Sequence, residues 1–213
     1  DGDDLLLPGA EIPYVPNGVP LNADIINGGY GNDTVNYQDA TQGVGVSLES
    51  NLSDLGADND FYISIENIIG SEYDDAIQAG GGGFVIGLTG SDTVEGSRTT
   101  GLGNLSTEFL WGDDRLSIDT TPDRFLLHMG TGADALMDFN PGEGDRIAVY
   151  ISEFAAAPTV LNLNGQVASN SGGPQFIYER LTDVLYYDPE GQATSLGPIA
   201  IAYLPDLGAG FNF

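Results

Sequence analysis

The sequence predicts an all-β fold of short, stacked strands, and three observations carry that prediction. Glycine makes up 31 of the 213 residues and falls in clusters between brief β-branched stretches. No window carries a sustained apolar stripe at helical spacing, whereas several alternate at period two. An aspartate recurs two places before an aliphatic residue, as in Asp24/Ile26 and Asp33/Val35, and these two pairs lie nine residues apart. A nine-residue period with a glycine-rich aspartate turn and one inward aliphatic residue is the pattern of a parallel β-roll.

The elements follow in order. "GGYGNDTVN" at 28–36 is a turn running into a strand, and glycine there supplies the φ > 0 angles a tight turn needs. "GVGVSL" at 43–48 alternates Val44, Val46 and Leu48, a half-buried strand. The stretch 60–97 carries Ile63, Ile65, Ile68, Ile77, Val85 or Ile86, and Val94 with turn chemistry between them, and Asp75/Ile77 and Asp92/Val94 repeat the earlier relation. "AGGGGFVIG" keeps the glycines and aliphatics without a carboxylate, which marks a degenerate turn. Asp4/Leu6 and Asp114/Leu116 offer the same relation. Beyond about residue 120 the character changes. Asp134/Leu136 and Asp145/Ile147 echo the relation, 151–158 suits a short helix ended before Pro158, and "DPEG" between two apolar runs in 181–204 marks a hairpin. The expected division is 1–120 and 121–213.

Charge narrows the function. The chain has 32 acidic residues, 22 of them aspartate, against five Lys+Arg, a formal net charge of −27. Aspartate prefers turns, where its short side chain reaches local backbone or a cation. Such a charge opposes compaction unless cations neutralise part of it. Nucleic acid is excluded as a partner, because phosphate binding needs a basic surface. Cysteine is absent, which removes disulfides and thiolate metal sites. The N-terminus has acidic residues where a secretory signal would be basic. The apolar runs, such as "IAIAYL" at 199–204, are too short to span a bilayer, so membrane insertion is not expected.

Calcium takes six to eight oxygens, mixing carboxylates with backbone carbonyls. Glycine-rich turns expose such carbonyls, and stacked turns let one ion sit between them. The candidate ligands are therefore Asp24, Gly29, Gly31 and Asp33 in the strictly spaced pair, then Asp74, Asp75 and Asp92, then Asp113 and Asp114. For one isolated turn, an Asx-turn without metal explains the aspartate better than a cation does. Recurrence across turns favours the cation.

"GGYGNDTVN", "IENIIGSEYDDAIQAG", "GSDTVEG", "GADALMDFNPGEGDRIAV" and "LYYDPEGQATSLGPIAIAYL" resemble the repeats-in-toxin (RTX), hemolysin-type calcium-binding family, over residues 23–97 and 123–213. The last two stretches resemble the C-terminal cap of serralysin-like secreted proteins. The resemblance implies a degenerate, calcium-filled parallel β-roll followed by a β-sandwich-like cap. It also implies an extracellular or cell-surface location reached by type I secretion through an uncleaved C-terminal signal, to which "YLPDLGAGFNF" is similar. Where the family has long unbroken nonapeptide runs, this chain has one clean tandem pair, and residues 98–122 lie outside the resemblance.

No catalytic constellation is expected. His128 is the only histidine, which removes HExxH zinc-protease ligands, and no GxSxG elbow exists. Its apolar setting, "FLLHM", suits a core or edge-strand histidine. Carboxylate pairs leave a glycosidase open by inventory. Trp111, Tyr73, Tyr186 and Tyr187 suit core or rim aromatics better than a sugar-stacking platform. The expectation is a secreted, calcium-binding, non-enzymatic module whose folding is coupled to calcium on export. A structural or adhesive subunit that self-assembles or docks to another extracellular protein is the alternative. A polysaccharide-acting or sugar-binding domain is the third.

Overall fold

The computed structural model describes residues 2–8, 24–55, 60–98, 107–113, 121–128, 132–150, 152–153, 159–163, 173–189 and 198–205. Among them every regular element is a strand. In chain order the first are β1 (Leu5–Leu6), β2 (Ile25–Asn27), β3 (Thr34–Asn36), β4 (Val44–Ser47), β5 (Leu52–Leu55) and β6 (Phe61–Ile63). Then come β7 (Asn67–Ile69), β8 (Ala76–Gln78), β9 (Gly83–Leu88), β10 (Thr93–Glu95), β11 (Glu108–Asp113) and β12 (Arg124–Leu127). The last are β13 (Asp134–Leu136), β14 (Arg146–Val149), β15 (Thr159–Leu163), β16 (Gln175–Glu179), β17 (Val184–Asp188) and β18 (Ile199–Tyr203).

These strands form two mixed sheets and no closed barrel. The first has the order β1-β3-β7-β9-β11-β13-β18-β17-β16-β15, the second β14-β12-β10-β8-β4-β5-β6-β2. From β1 to β4 and again from β7 to β14, the chain changes sheet at every strand and pairs in parallel with the strand it meets. One passage through both sheets is one coil. The β4–β5 hairpin and β6 interrupt the alternation and stay in the second sheet. Strands on either side of residue 120 share both sheets, since β10 pairs with β12 and β11 with β13.

The core lies between the sheets and is assembled in register. In the first sheet Val35, Ile68, Val85, Leu110 and Leu136 stack along the molecule, each at most 1% exposed. Facing them, Val46, Ile77, Val94, Phe125 and Ile147 stack in register in the second, with Ile147 at the sheet edge partly buried. A three-residue strand points only its central side chain inward, so a single aliphatic per strand suffices. Burying such a side chain contributes about 1.5–3 kcal/mol, and the stack repeats that contribution at every half-coil.

In the region expected as a cap, β15 through β18 extend the first sheet. β16, β17 and β18 pair antiparallel, and β18 joins β13 in parallel. The expected hairpin is present as β17 and β18, while residues 190–197 of its connection lie outside the described residues. So does most of 151–158, where a short helix was expected, with 152–153 a turn. Among the described residues no helix is long and apolar enough to cross a membrane.

Candidate functional site

Most strands of the two stacks begin with an acidic residue two positions before the inward apolar one. In the second sheet these are Asp75, Asp92, Asp123 and Asp145, ahead of Ile77, Val94, Phe125 and Ile147. Their carboxylates bond coil to coil. The Asp75 N–H donates to Asp92 Oδ1 at 2.7 Å, the Asp92 N–H to Asp123 Oδ1 at 2.8 Å, and the Asp123 N–H to Asp145 Oδ1 at 2.9 Å. The first sheet repeats the device. There the Asp4 N–H donates to Asp33 Oδ1 at 2.8 Å, the Asp33 N–H to Glu66 Oε2 at 2.9 Å, and the Glu108 N–H to Asp134 Oδ1 at 3.3 Å. The N–H at a strand start lies beyond the regular ladder, and an ionised acceptor satisfies it with a bond stronger than a neutral one.

One oxygen per carboxylate serves this ladder, which leaves the second to account for. Asp75 Oδ2 accepts the Ser71 N–H at 2.6 Å, and its Oδ1 accepts the Ser71 hydroxyl and the Val44 N–H, both at 2.7 Å. Asp33 Oδ2 and Asp92 Oδ2 are buried with no hydrogen-bond partner, in residues 0% and 1% exposed. Each lies against a glycine and a carbonyl of the adjacent coil. A Cβ on Gly28 would collide with Asp33 Oδ2 and the Ser64 carbonyl oxygen, and one on Gly87 with Asp92 Oδ2 and the Gly112 carbonyl oxygen. Glycine is required at both positions so that two oxygens can converge there.

A buried carboxylate oxygen without a donor costs free energy unless positive charge meets it. At Asp92, burial, reinforced by the nearby Asp75 and Asp123 carboxylates, pushes the carboxyl up to about 8. Burial likewise raises Asp75, and Asp138 is lifted to about 6. An all-oxygen set of carboxylate and carbonyl fits a hard cation of the calcium type and suits soft or imidazole-seeking metals poorly. Among the described residues no group of three or more His, Cys, Asp or Glu side chains is arranged to hold a metal. A cation in these turns therefore has to draw on main-chain carbonyls.

The nine-residue pair is placed differently from what its spacing suggests. Asp24 precedes β2 in the second sheet and Asp33 precedes β3 in the first, so they begin strands of opposite sheets. Asp24 stacks instead on Asp60, whose Oδ1 accepts its N–H at 2.8 Å. Gly29 and Gly31 have φ of 90° and 142°, and Gly31 packs on the Gly2 carbonyl. Asp75 and Asp92, seventeen apart, are direct neighbours, and Asp74 Oδ1 accepts the Ser91 N–H at 2.9 Å in the adjacent exposed turn. Asp113 ends β11, and its N–H donates to Asp138 Oδ2 at 2.8 Å. Asp114 lies outside the described residues. Asp60, Glu66, Glu108 and Asp123 hold equivalent positions that the aspartate-x-aliphatic pattern passed over. Admitting glutamate, and Tyr62 or Phe125 as the inward residue, would have found them.

His128 is 2% exposed and sits between two carboxylates, Nε2 at 2.8 Å from Glu95 Oε1 and Nδ1 at 2.8 Å from Glu153 Oε1. Its ring stacks on Tyr150, and Arg98 covers the Tyr150 ring. With both nitrogens facing carboxylates, neither is placed to take a proton from a hydroxyl nucleophile. The aromatics considered for sugar stacking are dispersed. Tyr187 is in the core, Tyr73 is exposed in a turn, and Trp111 stacks on Phe109 on the outer face of the first sheet.

No family model matches the sequence, and comparison with curated proteins finds no match.

Proposed function

We propose that the chain is a secreted calcium-binding module of the parallel β-roll type, in which cations in the acidic turns couple folding to export. The observation that carries this reading is the pair of buried, donorless carboxylate oxygens at Asp33 and Asp92, each converging with a carbonyl oxygen over a glycine. Asp33 with the Ser64 carbonyl, and Asp92 with the Gly112 carbonyl, would hold the ion. Bound there, it supplies positive charge between coils and offsets the repulsion of a chain carrying −27. In a calcium-poor cytosol the turns repel and the chain stays unfolded. Outside the cell, sites with an affinity of about 10⁻⁴–10⁻³ M fill and the strands stack. The RTX-like stretches and the alternation of parallel strands support the same reading.

Calorimetric titration of the protein with calcium and with magnesium tests it. Calcium binding that is weakened in Asp92→Asn and Asp33→Asn, with magnesium ineffective, is the expected result. No heat with either ion, or binding indifferent to both substitutions, would overturn it.

A second reading has one observation in its favour. Ile25, Phe61 and Leu52 lie in register across β2, β6 and β5, are 74%, 42% and 50% exposed, and reach the open edge of the second sheet. An exposed apolar row beside an edge that no strand pairs among the described residues suits a subunit that assembles with copies of itself. Sedimentation velocity in calcium distinguishes the two readings, a concentration-dependent oligomer supporting assembly and a monomer at all concentrations opposing it.

A further inference from the structure

The outer face of the second sheet carries the least expected charges of the molecule. The chain has 32 acidic residues and five arginines, with no lysine at all. Two of those arginines, Arg124 on β12 and Arg146 on β14, are exposed partners in the parallel register. Neither guanidinium makes an ion pair or hydrogen bond among the described residues. Like charges directly opposite on neighbouring strands are destabilising, and pairing either with a carboxylate would have been easy in so acidic a chain. The inward residues of these strands are Phe125 and Ile147, so both guanidinium groups stand on the solvent side.

The same row continues from the arginines into a groove. Arg124 pairs with Thr93, Thr93 with Ala76, and Ala76 with Gly45. Gly45, Ala76 and Thr93, with Ser47, Gln78 and Glu95, line a groove of about 460 Å³ overhung by the β4–β5 hairpin. Its floor is made of small residues and its wall of hydroxyl, amide and carboxylate groups. Of the carboxylates there, Glu95 faces Arg98 at 2.6 Å and His128 at 2.8 Å, and Glu49 accepts the Gln78 Nε2–H at 2.9 Å. The Ser47 hydroxyl donates to Gln78 Oε1 at 2.7 Å, so Ser47 and Gln78 would meet a sugar as acceptors. Positions along the row repeat at about 4.8 Å, the strand spacing, which is of the order of a pyranose ring's length.

We propose that this face binds a linear anionic saccharide, an oligouronate, with a carboxylate held by Arg124 and Arg146 and the sugar hydroxyls by Ser47, Gln78 and Thr93. A guanidinium matches a carboxylate through two parallel N–H···O bonds, which a planar uronate carboxylate accepts. A second copy presenting this same face would set arginine against arginine, and a nucleic acid would need far more cations than two. An oligouronate carries one carboxylate on each ring, of which the paired arginines would hold one. The screening length in physiological salt, about 8 Å, confines the repulsion from the acidic turns.

Titration of the calcium-loaded protein with oligogalacturonate, followed by calorimetry with calcium in excess and a protein-free blank for binding of calcium by the oligosaccharide, tests the proposal. Maltooligosaccharide of equal length, polyglutamate and inorganic sulfate serve as comparisons. The expected result is binding of oligogalacturonate and not of maltooligosaccharide, about tenfold or more weaker in Arg124→Gln/Arg146→Gln. Arg124→Lys/Arg146→Lys, which keeps charge and loses the fork, is expected to fall between. Both arginines are exposed, so the variants should keep the wild-type circular dichroism. Absence of binding, equal affinity in the double glutamine variant, or equal affinity for polyglutamate or sulfate would overturn the proposal. Calcium cross-linking of uronate to the acidic turns would survive the arginine substitutions and is thereby told apart. A protein that responds to calcium and ignores oligogalacturonate would sink this proposal and leave the cation reading standing.

Discussion

Asp92 and Asp75 occupy equivalent places one coil apart, yet their carboxylates face different demands. Both Asp75 oxygens have protein donors, whereas Asp92 Oδ2 has none. Asp92→Asn is therefore expected to remove calcium sensitivity at that turn. Asp75→Asn is expected to lower stability by about 1–3 kcal/mol with the calcium response kept, because a charged acceptor of buried donors is lost. Calcium titrations and urea melts of the two variants separate these outcomes. The glycines divide in the same way. Gly29 has φ of 90° and open space around it, so Gly29→Ala costs only the left-handed strain, about 1–2 kcal/mol. Gly87→Ala would drive a methyl between Asp92 Oδ2 and the Gly112 carbonyl, and is expected to lose calcium binding as well as stability.

His128 makes a prediction in pH. Burial lowers its pKa, but hydrogen bonds to Glu95 and Glu153 outweigh that and hold it above the ordinary value. A raised histidine pKa stabilises the fold fully below the unfolded value, about 6.5, and that contribution is lost as pH rises through the folded value. The melting temperature of the calcium-loaded protein should therefore decline above that range. His128→Gln should start lower in mild acid and lack this decline, which thermal melts across the neutral range would check.

At the scale of the element, one inward side chain per short strand carries the stack. Ile77 is 1% exposed and lies in register between Val46 and Val94. Ile77→Ala should destabilise by about 2–5 kcal/mol, measurable as a shift in denaturation midpoint with unchanged slope. The sequence made this layer legible because an inward aliphatic two places after an aspartate is a local signal. Val35, Ile77 and Val94 were readable, and so was the alternation of Val44, Val46 and Leu48. Stacking was less legible, because it is not local. Asp24 and Asp33 share the clean nine-residue spacing but start strands of opposite sheets. Asp75 reaches Asp92 across seventeen residues and Asp92 reaches Asp123 across thirty-one. A loop of any length can return the chain to the next coil at small entropic cost, so spacing in sequence does not measure adjacency in the sheet. Glu66, Glu108 and Asp123 escaped for a chemical reason: a longer carboxylate or an aromatic inward neighbour does the same work with different letters. Arg124 and Arg146 were invisible as a pair until the register of β12 and β14 brought them side by side.

At the scale of the whole molecule, two opposed tendencies meet. The stacked aliphatics favour collapse, while 32 acidic groups, many gathered at the strand starts, favour expansion. The coil-to-coil carboxylate bonds use one oxygen of each ladder member and leave those at Asp33 and Asp92 turned toward carbonyls, where a cation or a proton on the carboxyl satisfies them. We propose that a hard cation tips this balance. The most direct measurement is far-UV circular dichroism during a calcium titration from chelator upward at low salt, with magnesium as control. A cooperative rise of β signal with calcium alone is the expected result. A full β spectrum already present in chelator, unchanged by calcium, would contradict it.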